Sequence, residues 1–125
     1  PDFVVVEGPC AGGHLGFSRE ELSEYEVDTQ YVSKTYIRAQ YEAETRGIIG
    51  VVKEFAGTYK KEIPVVTAGG IFDHEDVLRQ LRLGADGVQV ATRFVTTEEC
   101  DADPAYKQAY LDAEENDIVI VKSPV

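Results

Sequence analysis

The chain has 125 residues, with 12 Lys and Arg against 23 Asp and Glu and a formal net charge of −11 at pH 7. That length allows one domain at most, and the acidic balance excludes nucleic acid and anionic membrane surfaces as partners, since both need local positive charge. The two cysteines, Cys10 and Cys100, form no disulfide framework and no metal-ligand spacing, so a reduced, cytoplasmic setting without a metal is expected.

The first apolar run, Phe3-Val4-Val5-Val6, ends at Gly8-Pro9 and reads as a strand buried on both faces. Ala11-Gly12-Gly13-His14-Leu15-Gly16 then stands at its carboxyl end, where parallel α/β folds hold their ligands. Gly12 and Gly13 carry no Cβ, so their backbone can approach a planar or phosphorylated ligand closely. Histidine is the side chain that exchanges a proton near neutral pH, which makes His14 the candidate reactive group at the rim.

Ser18-Arg19-Glu20-Glu21 has capping-box spacing and predicts a helix from about Arg19 to Tyr25. The stretch 26–46 reads as a polar excursion; Val32, Tyr36, Ala39 and Ala43 fall at roughly helical spacing within it. From Gly47 the pattern sharpens. Ile48, Ile49, Val51, Val52, Phe55, Ala56 and Tyr59 predict one wide apolar helix face, closed by Lys60 and Lys61.

Ile63-Pro64-Val65-Val66-Thr67 is the next strand and runs into Ala68-Gly69-Gly70-Ile71. Asp73 should cap a helix carrying Val77, Leu78 and Leu81, stopped by Gly84 in the left-handed conformation. His74, in its first turn, reads as a surface residue. Gly87-Val88-Gln89-Val90 is the third strand, followed by Ala91-Thr92-Arg93-Phe94. Asp103-Pro104 opens a further helix to about Ala113, and Ile118-Val119-Ile120-Val121 is a short extended run. Cys100 lies among acidic residues that disfavour its thiolate.

Strand, helix, strand, helix, strand is βαβ architecture with a parallel sheet. It sets Gly69-Gly70 and Ala91-Thr92 side by side, as in the phosphate-binding loops that follow the last strands of a (β/α)₈ barrel. A core strand almost at Pro1, the absence of methionine and an end soon after an apolar run make the chain read as cut.

Three blocks carry a family resemblance: Glu7-Gly8 with Ala11-Gly12-Gly13-His14-Leu15-Gly16; Ile63 to Ile71; and Leu83-Gly84-Ala85-Asp86-Gly87-Val88-Gln89-Val90-Ala91-Thr92-Arg93-Phe94. At these residues the sequence resembles the nitronate monooxygenase (2-nitropropane dioxygenase) family of flavin mononucleotide (FMN) barrels, whose relatives include a flavin-type enoyl-acyl-carrier-protein reductase. The resemblance implies an α/β fold, the C-terminal part of a (β/α)₈ TIM barrel over about strands 6–8, with residues 1–125 forming one partial domain. A complete barrel needs about 250 residues, in keeping with that share.

Carried over position by position, the resemblance implies that Glu7, Gly12 and Gly13 line the flavin. Gly69 and Gly70, with Gln89, Val90, Ala91 and Thr92, would hold its phosphate, and His14 would be catalytic. Three positions depart from the common pattern. Ala91 stands where the family usually has Gly, Cys10 where many relatives have Glu, and Glu7 where many nitronate monooxygenases have Gln. Arg93 can pair with the flavin phosphate or with a neighbouring acid.

The implied reaction is FMN-dependent oxidation of a nitroalkane or nitronate with O2, His14 taking the proton beside the nitro group. The alternative is NAD(P)H-dependent reduction of an enoyl thioester on the same residues. A non-flavin phosphate-binding barrel, and a piece inactive on its own, remain as further readings. A small-molecule substrate is expected in all the enzyme readings, with a homo-oligomer left open.

Overall fold

Short β-branched runs separated by amphipathic helices produce three strands here because each run can bury itself only against its neighbours. The computed structural model describes residues 1–24 and 38–121. In chain order it contains β1 (Val4–Glu7), α1 (Arg19–Glu24), α2 (Arg38–Tyr59), β2 (Val65–Ala68), α3 (His74–Leu83), β3 (Gly87–Gln89), α4 (Thr92–Val95) and α5 (Pro104–Asp112). The sheet order is β1-β2-β3, and both pairings are parallel. The architecture is that of a partial barrel: parallel strands with flanking helices, as expected.

The helix boundaries follow local chemistry. At α1 the Glu21 N–H donates to Ser18 Oγ at 3.2 Å, and the Ser18 N–H donates to Glu21 Oε2 at 2.7 Å. The Ser18 N–H bond also holds the Glu21 carboxyl below its ordinary range. Tyr25, the expected end of this helix, lies outside the described residues. At α3, Asp73 Oδ1 accepts from the Asp76 N–H at 2.9 Å, while Asp76 Oδ2 accepts from the N–H groups of Asp73 at 3.3 Å and Phe72 at 3.0 Å. Gly84 ends the helix at φ 106°. Asp103 caps α5 by accepting from the Ala105 N–H at 2.8 Å.

The sheet is braced at its amino end by Asp86. Its carboxylate accepts from the Val65 N–H at 2.8 Å, and its own N–H donates to the Val65 carbonyl at 2.8 Å. That pair of bonds holds the start of β2 to the residue just before β3. The Leu83-Gly84-Ala85-Asp86 block is therefore structural, remote from the strand ends where a ligand would sit.

Strand alternation divides the sheet into unlike faces. Val4, Val6, Val65 and Thr67 share one face, where Val4, Val6 and Val65 pack with Ile49 and Val52 of α2. Val5, Glu7, Val66, Ala68, Gly87 and Gln89 share the other, on which Val5, Glu7 and Gln89 are exposed. This corrects the expectation that the first strand is buried on both faces. Helices cover one side of β1 and leave Val5 open on the other; Phe3, exposed, precedes the strand rather than belonging to it.

The helix α2 corrects two further expectations. Its first turns, 38–46, are helical, but the inward residues are Tyr41 and Thr45, while Ala39 and Ala43 are exposed. Val32 and Tyr36 lie outside the described residues. Further along, Ile49, Val52 and Ala56 turn inward, whereas Ile48, Val51, Phe55 and Tyr59 are exposed. One helix reaches a three-stranded sheet along a single stripe, so an apolar face wider than that stripe stays outside. Residues 118–121 join no strand; instead Ile120 packs on Leu22 and Tyr41, and its carbonyl accepts from Arg19 Nη2 at 3.2 Å.

Candidate functional site

The parallel register decides where the loops go. Glu7 lies opposite Ala68, and Ala68 opposite Gln89, so the three strands end level with one another. The segments that begin at Gly8, Gly69 and Val90 therefore leave the same edge of the sheet. Of the residues expected at a site, Glu7 and Gln89 are exposed on the face away from the helices, with buried Ala68 between them. Placement of Gly69 and Ala91 at opposite ends would have ended the barrel reading, and they lie at the same end.

The first loop is anchored on three sides. The Gly8 N–H donates to the Ala68 carbonyl at 2.8 Å, continuing the ladder one residue beyond the strand. Tyr41 of α2 fills the space beside Gly8, where an added Cβ would come within 2.9 Å of its ring. Leu15 and Phe17 pack with Leu22, Tyr41 and Ile120, and Gly16 returns to the Glu7 carboxylate, 3.9 Å from its Cβ direction. His14 is thus an exposed side chain on a loop held at both ends.

The first and second loops touch through backbone. Gly69, at φ 93°, presses against Ala11; a Cβ there would lie 2.9 Å from the Ala11 nitrogen. Gly70, at φ 66°, sits against the Cβ of Cys10. By contrast, no atom of the described residues lies within 4 Å of the Cβ directions of Gly12 and Gly13, and Gly13 has φ 81°. Open space of that kind on an exposed loop admits a ligand; the space at Gly69 is already taken.

The third loop turns at once into α4. Ala91 occupies the N-cap with φ −122° and ψ −63° and offers no side-chain acceptor. A negative φ is open to alanine, so Ala91 needs no glycine geometry. Thr92, Arg93 and Phe94 are exposed. Beside them a cavity of about 550 Å³ is lined by Ala91, Phe94, Val95, Thr97, Glu99 and Cys100.

Two residues that sequence reasoning passed over shape this edge. Tyr41, inside the polar excursion, buttresses the first loop, and its burial pushes its hydroxyl pKa up. Phe72 receives the Arg93 guanidinium over its ring at 4.4 Å, a partner for Arg93 that is neither of the two expected. The position of Phe72 just before the N-cap Asp73 reads as a helix-entry residue, which hides any other role. His74 is exposed at the first position of α3.

No helix among the described residues is long and apolar enough to cross a membrane. A family model described as nitronate monooxygenase matches residues 1–125. Curated relatives called probable nitronate monooxygenase, from Staphylococcus aureus strains Newman and JH9, are 30% identical over 122 residues, which is 98% of this chain and 29% of theirs. A solved structure of a FabK point mutant from Thermotoga maritima is similar with a TM-score of 0.53 and 29% identity, over 90% of this chain and 28% of that one. The chain therefore spans less than a third of the length of these relatives.

Proposed function

Because the chain belongs to the nitronate monooxygenase family, we propose that the full-length protein is an FMN-dependent oxidoreductase that oxidises nitronates or nitroalkanes with O2. The observation that carries the reading is the level ending of three parallel strands, which gathers the Glu7, Gly69 and Gln89 segments on one edge. The residues fit a flavin nucleotide. Among the described residues Gly12 and Gly13 leave their Cβ directions open, and Glu7 and Gln89 stand exposed on the sheet face opposite the one that Ile49 and Val52 of α2 pack against.

In this reading Glu7, Gly12 and Gly13 line the ring system, while Gly69, Gly70, Gln89, Val90, Ala91 and Thr92 surround the phosphate. Bound flavin would supply the electron transfer and the oxygen chemistry. His14 accepts the proton from the carbon beside the nitro group, or holds the anion when the substrate arrives ionised. A positioned base of this kind contributes about 10² to 10⁴-fold in rate. The anchoring of the loop by Leu15 and Phe17 keeps an exposed imidazole from wandering off the edge. A reduced, cytoplasmic setting goes with this reading.

The test is direct. The purified full-length protein should be yellow with flavin absorbance, should consume O2 and should release nitrite from an alkyl nitronate. Reduction of an enoyl thioester by NAD(P)H, without nitronate turnover, would move it to the enoyl reductase reading. Glu7 keeps that second reading in play, since a carboxylate there matches the reductase branch better than the common Gln. A colourless protein that binds no flavin would defeat both.

A further inference from the structure

A side-chain contact joins the second and third loops beyond the strand ends: the Arg93 guanidinium lies over the Phe72 ring, 4.4 Å from its centre. We propose that Arg93, aimed by Phe72, is the cation that recognises the phosphate of the nucleotide, so that the pair selects a phosphorylated flavin over the unphosphorylated one. This inference rests on the flavin-site reading above.

Three observations support it. First, the contact joins the two segments read as surrounding the phosphate: Phe72 is three residues beyond Gly69, and Arg93 directly follows Thr92. Second, the main chain that carries the ring is fixed. The Phe72 N–H donates to Asp76 Oδ2 at 3.0 Å, within the capping box of α3. Third, no carboxylate claims Arg93 among the described residues, where the ion pair is Arg79 with Asp76 at 2.8 Å.

The chemistry follows from the shape of the group. A ring can occupy one face of a planar guanidinium while its edge keeps several N–H donors for a bidentate phosphate contact. These 125 residues carry a formal net charge of −11, and a fixed guanidinium at the edge offsets that charge locally for an incoming dianion. In this arrangement Arg93 is a binding residue and Phe72 a positioning residue.

The experiment titrates the flavin-free full-length protein with FMN and with riboflavin, following quenching of flavin fluorescence. Arg93→Ala should weaken FMN binding about tenfold or more, the usual scale for a charge-assisted contact, and leave riboflavin within about twofold. Phe72→Leu should cost FMN about two- to fivefold, and Phe72→Tyr should restore it. Arg93→Lys, the milder change, should fall between wild type and alanine. Equal losses for the two flavins would overturn the inference by making the pair a plain loop staple. So would full FMN affinity in Phe72→Leu beside a loss in Arg93→Ala, or retained selectivity in Arg93→Ala. Wild-type protein that binds both flavins equally would also overturn it while leaving the flavin reading standing; wild type that binds neither would remove that reading as well.

Discussion

Gly69-Gly70 and Gly12-Gly13 follow neighbouring strands at the same end of the sheet, yet only the first pair is closed over by the protein's own atoms. Gly69 is a glycine because Ala11 lies where its Cβ would be and because φ is 93°, a region that other residues enter only under strain. Gly12 faces no atom of the described residues within 4 Å. Two identical dipeptides thus serve two ends: one joins the loops, the other leaves room beside them.

The largest expected effect comes from closing the joint. Gly69→Ala combines the left-handed backbone with a Cβ 2.9 Å from a backbone nitrogen that cannot rotate away. It should destabilise the full-length protein by about 2–4 kcal/mol, measured by denaturant unfolding. A loss under 1 kcal/mol would mean that the first loop shifts freely, and that the two loops are not locked together.

The open loop should respond in kinetics rather than stability. His14→Ala should leave FMN binding nearly intact, because the segments read as surrounding the phosphate lie on the other two strands. Turnover of a neutral nitroalkane should fall about 10²-fold or more, with a much smaller loss on the pre-ionised nitronate, since only the former needs a proton removed. Equal losses on both would assign His14 to holding the nitro group. Unchanged rates would take it out of the reaction.

These two experiments separate what was legible in the sequence from what was not. The strand and loop positions, the caps at Ser18, Asp73 and Asp103 and the stop at Gly84 were readable because each depends on neighbours within a few residues, and the parallel sheet followed from the alternation of strands and helices. The inward stripe of α2 was not. Ile49 turns inward onto the strands and Tyr41 onto Leu22 and the first loop, and the apolar Ile48, Val51 and Phe55 are left out by geometry that no local pattern encodes. For the same reason Gly12 and Gly69 look alike in sequence: what fills a missing Cβ comes from a segment tens of residues away. The Phe72–Arg93 contact, between two loops, is equally invisible.

The α3 cap tests whether the second loop is held from its far side as well. Asp73→Ala should cost about 1 kcal/mol, read as a lowered Tm. Its partner, Asp76, adds a pH signature. Partial burial pushes the Asp76 carboxyl up, but the N–H groups of Phe72 and Asp73, together with Arg79, outweigh it and hold the group below its ordinary range. A lowered folded-state value stabilises above the unfolded aspartate value of about 3.9 and is lost as pH falls through the folded one. Asp76→Asn should therefore flatten the acid limb of the stability curve. An unaltered limb would show that the Asp76 charge does not matter to the cap.

The smallest expected effect divides the comparison most finely. Gly12→Ala meets neither obstacle found at Gly69: its φ is not positive, and no atom of the described residues lies within 4 Å of the new methyl. Its stability should stay within about 0.5 kcal/mol of wild type, as for a surface change that breaks no special feature. Gly13→Ala isolates the backbone part. It has the same open surroundings but φ 81°, and should cost about 1–2 kcal/mol. If the open space belongs to the flavin ring system, Gly12→Ala will weaken FMN and riboflavin equally, because the methyl meets the ring and not the phosphate. That pattern is opposite to the one expected for Arg93→Ala, so the two variants read different parts of one ligand. Unchanged affinity for both flavins in Gly12→Ala would mean that the ring lies elsewhere on the edge, and the space beside Gly12 would then belong to the substrate or to solvent.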